Sequence, residues 1–474
     1  MAGSGNLAAR LEDACRKGGW EGRVAYRCGA ASHSHAEVHE GAARFAGFLA
    51  HRCAPGARVL ISLPDGIAFV WAFLGAVRAG AVALPVAPPE PGAPTDVADR
   101  LGAELVIEDA EAVVAAVAGS EPLPAAPVAG PAYGQMTSGT TGAPRVALHG
   151  HDDPFVFQAA FGGPVLGLRP GETVLSVSKL FFAYGLGNSL FYPLLAGATA
   201  VMIEEKPTPA SVARLVAAHR VDVLFAVPSF YGRLVGDGHG AELRGLRLAI
   251  SAGEALPGRL REAFEAAAAT PLLDGIGSTE VGQCFASNRP GAARPGTVGR
   301  PLPPYRVRVV DPGDGTPLPA GAEGLLEVAG PTLAAGFLDA GGPPPGGWLR
   351  TTDLGLLDAD GFLHLRGRVD EVEIVSGRKL RPGEVEERVG AHPRVREVAV
   401  CAVPDEHGVA RLTAFVAAQG EVGEEKELAA ELLALGRDDD GAGRALRAVV
   451  FVTALPRTPT GKVMRFRLRQ GTAG

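Results

Sequence analysis

Nine residues, "TSGTTGAPR" from Thr137 to Arg145, gather two glycines, four hydroxyl side chains and a closing arginine. Gly139 and Gly142 let a backbone approach a polyphosphate closely, Thr137, Ser138, Thr140 and Thr141 add hydroxyl donors, and Arg145 adds charge. The Gly-Lys-Ser/Thr ending of a Walker loop is absent. By itself the stretch reads equally well as a Ser/Thr-rich turn. "DGIGSTE", 274–280, brings glycines, the hydroxyl pair Ser278 and Thr279, and then Glu280, a carboxylate suited to a hard divalent cation that also touches phosphate oxygens. Alone, it is also a strand end followed by a capping Ser/Thr. "TTDLG" supplies Asp353, and "GRVDEVEIVSGRKL" supplies Arg368 and Asp370. An acidic side chain accepting from ribose hydroxyls is a recurrent nucleotide device, and an Asp in a turn is an ordinary turn residue. "LPRTPTGKVMR" carries Lys462 after a Pro/Thr/Gly loop, a cation on a flexible stem. "HGHDD", with His149, His151, Asp152 and Asp153, looks like a metal cluster but directly follows the hydroxyl-rich loop and has no distant partner set, so it is not read as a zinc site.

These groups need a scaffold. Apolar, strand-like runs recur between helical patterns: "RVLISLP", "GIAFVWAFLGAVRAG", "AVALPV", "VDVLFAVPS", "LRLAISAGE" and "PLLDGIG". Such alternation predicts an α/β chain on largely parallel sheets, and several runs end in glycine and small residues, where open α/β sheets place ligands. The Pro-rich segment 85–100 is a surface connection, since strand and helix patterns resume on both sides. After Val298 the texture becomes short alternating runs with turn residues, which predicts antiparallel β structure. From Asp370 a small α+β unit of about one hundred residues follows. The acidic patch 436–443 reads as a solvated loop.

At 474 residues, 47% hydrophobic and 20% charged, the chain is too long for one ordinary domain. Its net charge of −7 and lack of a long basic run argue against a nucleic-acid partner. Five scattered cysteines without a Cys-x-x-Cys pair argue against a disulfide framework or zinc ribbon, and no apolar leader marks the first twenty residues. A cytoplasmic setting is expected. The uncharged stretch 180–203 is long enough to span a bilayer, but Gly185, Gly187, Asn188, Pro193 and Gly197 interrupt it, so helix, turn and buried strand are expected, and no membrane partner.

In their order along the chain, the hydroxyl-rich loop, "DGIGSTE", "TTDLG", "GRVDE" and "PTGK" resemble the acyl-adenylating superfamily of acyl-CoA ligases, nonribosomal adenylation domains and luciferases. "SKLFFAYGLGNSLFYPLLAGATAV" (178–201), "SNRPG" (287–291) and "GKVMRFRLR" (461–469) are similar to the benzoate and aryl-acid CoA ligase branch. The resemblance implies an α/β fold with two domains. Residues 1–369 would form a large N-terminal domain of mostly parallel sheets with helices and a β-barrel-like subdomain, holding the ATP and acid pockets. Residues 370–474 would form a small mobile α+β lid. It implies ATP and Mg²⁺, an aromatic carboxylic acid, CoA or the phosphopantetheine of a carrier protein, a role in secondary metabolism, and is compatible with a homodimer.

Residue by residue, the resemblance gives Thr137, Ser138, Gly139, Thr140, Thr141, Gly142 and Arg145 to the β- and γ-phosphates, and Thr279 and Glu280 to phosphate and Mg²⁺. Gly253, Glu254 and Ala255 with Asp274, Gly275 and Ile276 would border the adenine. Asp353 and Arg368 would meet the ribose. Lys462 would bridge the substrate carboxylate and the α-phosphate, and Asp370 would be the hinge of the lid. Amino-acid adenylation domains carry an aspartate where "FAYG" has Ala183, and a buried ammonium without that counter-charge is costly. A flat acid without an α-amine is therefore expected, in a slot walled by Ala183, Tyr184, Gly185, Ser251, Ala252, Ile276 and Gly277. Three positions depart from the family pattern: Arg145 for lysine, Thr352 for glycine and Phe337 for tyrosine. Aryl-CoA ligation, aryl-acid adenylation with another acceptor, and a catalytically silent nucleotide-binding partner are the functional alternatives.

Overall fold

The structure, a computed structural model, describes residues 5–88, 97–128, 130–137, 145–338, 340–341, 347–369, 373–375, 378–380, 382–404, 410–419, 425–436, 446–457 and 463–469. The chain divides into two compact units, Met1–Arg308 with Glu327–Arg350 and Ala359–Leu363, and Val309–Leu326 with Thr351–Asp358 and His364–Gly474.

The first unit holds a nine-stranded sheet in the order Arg300–Pro301, Cys284–Ser287, Leu272–Gly277, Leu248–Ser251, Val223–Ala226, Thr173–Ser176, Thr199–Met202, Val24–Cys28 and Ala31–Ser34. Its six central strands are parallel and its edges antiparallel. The cause is visible in sequence: "VLFA", "LAIS" and "TAVM" are buried at every residue, the signature of strands covered on both faces. Helices Pro209–His219, Pro228–Gly236 and Gly258–Ala268 supply the cover through Val212, Val216, Phe230, Leu234 and Phe264. The Tyr231 hydroxyl, buried in this layer, donates within reach of Leu224 O (2.8 Å) and Ile250 O (3.0 Å), which removes the cost of burying it.

A seven-stranded sheet runs Ala340–Gly341, Gly336–Phe337, Val146–His149, Tyr133–Met136, Val82–Pro85, Arg58–Ile61 and Leu105–Ile107. "GIAFVWAFLGAVRAG", grouped with the strand-like runs by composition, is instead a helix, Ile67–Arg78. It is apolar all round because it is buried all round, and periodicity cannot separate such a helix from a buried strand. It packs on helix His35–Leu49, where Gly41 makes room for Trp71 and Gly75 for Phe45. Helix Leu7–Gly18 joins them, its capping Asn6 donating from Nδ2 to Val77 O at 2.8 Å.

Segment 180–203 forms helical turns over Ala183–Leu186, a wider π turn over Gly187–Phe191, an α turn over Tyr192–Ala196, and the buried strand Thr199–Met202. Among the described residues no helix is long and apolar enough to cross a membrane.

The antiparallel texture after Val298 becomes a four-stranded sheet, Arg306–Val310, Gly324–Ala329, Leu349–Leu357 and Leu363–Arg368. The second unit contains the hairpin Glu373–Val375/Arg378–Leu380, helices Pro382–Val389 and Glu425–Leu435, and a three-stranded sheet of Val395–Pro404, Ala410–Ala418 and Leu446–Phe451. Val385, Val389, Val400, Leu412, Leu428 and Leu446 close its core.

Candidate active site

Parallel strands deliver their carboxyl ends to one edge of the nine-stranded sheet, and there Ala226, Ser251 and Asp274 stand side by side in register. Asp274 Oδ1 is buried without a hydrogen-bond partner, and Ser251 Oγ is buried beside it. Such an orphaned atom is rare in native interiors and marks a place prepared for a ligand. Burial pushes the Asp274 carboxyl up to about 8, offset in part by the Gly275 amide and the nearby Ser251 hydroxyl. It is un-ionised at neutral pH and can donate a proton as well as accept one. The turn beyond Ser251 brings Gly253, at φ +90°, and Glu254, whose Oε2 accepts from Ser229 N at 3.2 Å.

Tyr184 crosses this edge from helix Ala183–Leu186. Its hydroxyl donates to Ile250 O at 3.2 Å, its ring stands edge-on to Phe225 at 6.2 Å, and burial holds its pKa well above the usual phenol value. Asn188 and Asp274 both act on that hydroxyl, and the amide of Asn188 is fully buried beside it. Gly185 is required here, because a Cβ would lie 2.0 Å from Lys179 O. Gln283 holds the helix from outside: Nε2 donates to Ala183 O, and Oε1 accepts from Tyr192 at 3.4 Å. Ala183, Tyr184, Gly185, Ser251, Ala252, Ile276 and Gly277 thus belong to two adjacent strand ends and one helix of the first unit.

Glu280 sits in the turn after Leu272–Gly277. Its carboxylate is half-buried and has no hydrogen-bond or ion-pair partner among the described residues, which fits a hard cation. The backbone around it is pinned on several sides. Gly282 N donates to Ser278 O at 2.9 Å, Ala334 N to Glu280 O at 2.7 Å, and the Thr332 hydroxyl to Val281 O at 2.8 Å. His149, fully buried, faces Thr279 O through Nε2 at 2.8 Å and Asp153 Oδ2 through Nδ1 at 3.1 Å, while stacking on Tyr133. A carbonyl oxygen can only accept, so Nε2 carries a proton and Asp153 orients the ring. "HGHDD" is therefore a structural brace. His151 Nδ1 accepts from Leu7 N at 3.0 Å, and Asp152 pairs with Arg10.

The described ends of the hydroxyl-rich loop, Thr137 and Arg145, adjoin an antiparallel strand pair. Met136 pairs with Val146, and Thr137 N donates to Arg145 O at 2.7 Å while Arg145 N donates to Thr137 Oγ1 at 3.3 Å. Ser138, Gly139, Thr140, Thr141 and Gly142 lie outside the described residues, as do Asp370, Lys462 and most of the acidic patch. The guanidinium of Arg145 lies 3.6 Å from the centre of the Phe337 ring. Two departures noted separately in sequence are thus one contact, a planar fork stacked on a ring with no hydroxyl. Asp353 and Arg368 come together in the second unit, Oδ1 to Nη1 at 3.9 Å.

The sequence reading missed Asn188 and Gln283 as site residues, and left His149 and Asp153 without a role. The His-x3-Asp spacing on a strand end was available; the 130-residue reach from His149 to Thr279 was not.

Residues 11–338 match the AMP-binding enzyme family, and residues 384–462 match the AMP-binding enzyme C-terminal domain. The chain is similar to p-hydroxybenzoic acid–AMP ligase FadD22 of Mycobacterium tuberculosis, 37% identical over 98% of this chain and 69% of that protein. It is also similar to benzoate–CoA ligase of Thauera aromatica, 35% identical over 88% of this chain and 86% of that one. Among solved structures, a benzoate CoA ligase from Burkholderia xenovorans LB400 superposes with a TM-score of 0.88 at 31% identity, covering 98% and 99% of the two chains.

Proposed function

The chain belongs to the AMP-binding enzyme family, and from that premise we propose that it joins an aromatic carboxylic acid to AMP and hands the acyl group to the thiol of CoA. It is an AMP-forming acid–thiol ligase. The observation that best supports an aryl acid is the lining at the sheet edge. Ala183, Tyr184, Ser251, Ile276 and Gly277 offer small, aromatic and hydroxyl groups, and the carboxyl beside them, Asp274, is kept neutral by burial. A substrate carboxylate meets no repelling anion there, and a substrate ammonium would find no counter-charge.

The chemistry sets two anions against each other. A carboxylate oxygen must attack the α-phosphorus, forming the acyl–phosphate bond as the bond to pyrophosphate breaks, so donors and cations must offset repulsion and hold the atoms in line. In this reading Thr137, Ser138, Thr140, Thr141 and Arg145 hold the outer phosphates, and the pinned turn presents Thr279 and Glu280 without reorganisation. Magnesium, held through Glu280, supplies charge neutralisation. Gly253–Ala255 and Asp274–Ile276 border the adenine, and Asp353 and Arg368 are assigned the ribose. Lys462 bridges the two reacting groups. The acyl-AMP is a mixed anhydride prone to hydrolysis, which favours a lid, residues 370–474, turning at Asp370.

The test is a panel of aryl acids with ATP, scoring pyrophosphate release and trapping activated acyl groups with hydroxylamine, repeated with CoA and with a phosphopantetheinylated carrier protein. Acid-dependent pyrophosphate release with consumption of CoA is expected; no release with any aryl acid overturns the proposal. The likeness to FadD22, which is named as an AMP ligase, favours a second reading in which the acceptor is a carrier protein or another nucleophile. Hydroxamate formation with indifference to CoA would establish it.

A further inference from the structure

We propose that Cys15, His35 and His39 form a binding site for a thiophilic cation of the zinc class, built between two helices of the first unit and separate from the residues assigned to ATP. Each residue offers one ligand atom, and the three atoms lie within 4.8 Å of one another. Cys15 is 2% exposed, His35 0% and His39 5%.

The juxtaposition follows from local structure. Cys15 lies in the last turns of helix Leu7–Gly18. His35 and His39 are one turn apart on helix His35–Leu49 and so share a face. The start of that helix is set by a capping box: Glu37 N donates to Ser34 Oγ at 3.2 Å, and Ser34 N donates to Glu37 Oε2 at 2.7 Å. His35 Nε2 lies 3.2 Å from Ala198 O. That oxygen only accepts, so the proton is on Nε2 and Nδ1 presents a lone pair. Nδ1 is buried without a partner, and so is His39 Nε2. An imidazole fixed by a carbonyl through one nitrogen, with the other nitrogen free, is the posture of a metal ligand.

The donor set selects the ion. One sulfur and two imidazole nitrogens suit zinc, whereas magnesium and calcium require oxygen ligands. Zinc bonds of about 2.0 Å to nitrogen and about 2.3 Å to sulfur bring the donors to roughly 3.5 Å apart, a closure that side-chain rotation can supply. Cys15 and His39 border a cleft of about 430 Å³ that also presents Glu12, Glu21, Glu40, Arg16 and Arg78. Arg78 and Arg16 are paired with Glu12, at 2.7 and 3.4 Å, and Glu40 with Arg44 at 2.9 Å. Glu21 has no ion-pair partner among the described residues, and with water it is the candidate fourth ligand.

Burial, then Glu21 and Glu12, raise the Cys15 thiol to about 11, and burial lowers His35 to about 4 and His39 to about 3. Both imidazoles are already neutral at physiological pH, so binding exchanges one proton for the ion: the S–H bond breaks, the sulfur–metal bond forms, and a proton leaves to solvent.

Cobalt(II) is the probe. Chelator-treated full-length protein titrated with Co²⁺ should show one equivalent bound, with a thiolate-to-cobalt charge-transfer band and tetrahedral visible bands, all displaced by Zn²⁺. Cys15→Ser should abolish the charge-transfer band, and His39→Gln should weaken binding at least tenfold, with adenylation retained in both. Absence of a stoichiometric band, or a band that survives Cys15→Ser and therefore arises at one of the other four cysteines, overturns the site. If Cys15→Ser does not fold, the decision rests on thermal midpoints: Zn²⁺ must raise that of the wild type and raise that of His39→Gln by clearly less, and equal shifts also overturn it.

Discussion

Replacing Asp274 by asparagine removes one ionisation from the buried strand edge while keeping its shape. The native carboxyl titrates at about 8 against an ordinary 3.8, because burial disfavours the anion. A carboxyl raised in this way binds a proton in the folded state that the unfolded chain releases. The stabilisation is complete below about pH 4 and is lost as pH rises through 8. At 1.36 kcal/mol per pKa unit the ceiling is about 6 kcal/mol, and relaxation around a buried anion roughly halves it, to about 3 kcal/mol. Wild type and Asp274→Asn should therefore be of similar stability at pH 4, and the variant should be more stable by about 3 kcal/mol at pH 8. Trp20, Trp71 and Trp348 all belong to the first unit, so urea unfolding followed by tryptophan fluorescence reports on the unit that holds Asp274. Parallel pH profiles for the two proteins between pH 4 and 8 would show that Asp274 titrates normally and would refute the argument from burial.

Four further outcomes are expected. His149→Ala opens a buried cavity and leaves Asp153 with the Gly150 amide but without the imidazole, costing about 3 kcal/mol, and lowers adenylation at fixed magnesium; His149→Gln should recover part of both, and an unchanged magnesium dependence in the alanine variant would remove His149 from the support of Glu280. Arg145→Lys should lose the stack on Phe337, worth about 0.5–1 kcal/mol, and raise the KM for ATP a few-fold, with Phe337→Ala adding nothing further in that background; additive effects would show that the contact carries no energy. Lys462→Ala should nearly abolish pyrophosphate exchange while ATP binding, measured at equilibrium, stays within about twofold, since the role is expressed in the transition state. A charge swap at Asp370 should slow thiol transfer more than adenylate formation; equal rates would discard the hinge.

What could be read from sequence was what repeats a local pattern. Runs ending in glycine and small residues predict a ligand-bearing sheet edge, the family resemblance assigns Ser251, Asp274 and Thr279 to the site, and in the structure Ser251 and Asp274 stand in register at strand ends. The helix Ile67–Arg78 was grouped wrongly because full burial erases the polar face that would have shown its period. Gln283 carries no local signature, and the His-x3-Asp spacing of His149 says nothing of what its other nitrogen meets. Their partners, Ala183 and Thr279, lie 100 and 130 residues away, and only tertiary packing brings them together. Likewise, His35 and His39 show helical spacing, but nothing in the chain announces that Cys15 returns to meet them.

The wide turn at Gly187–Phe191 makes the segment unusually sensitive to length. Gln283 grips Ala183 ahead of that turn and Tyr192 beyond it, acting as a caliper across the expanded coil. Deleting a single amino acid between them would tighten the coil and spin everything downstream by about 100°, turning Tyr192 away from its grip. Relatives that shorten this stretch must re-cut the opposite jaw as well, so gain or loss of one residue here should be found together with exchange at position 283.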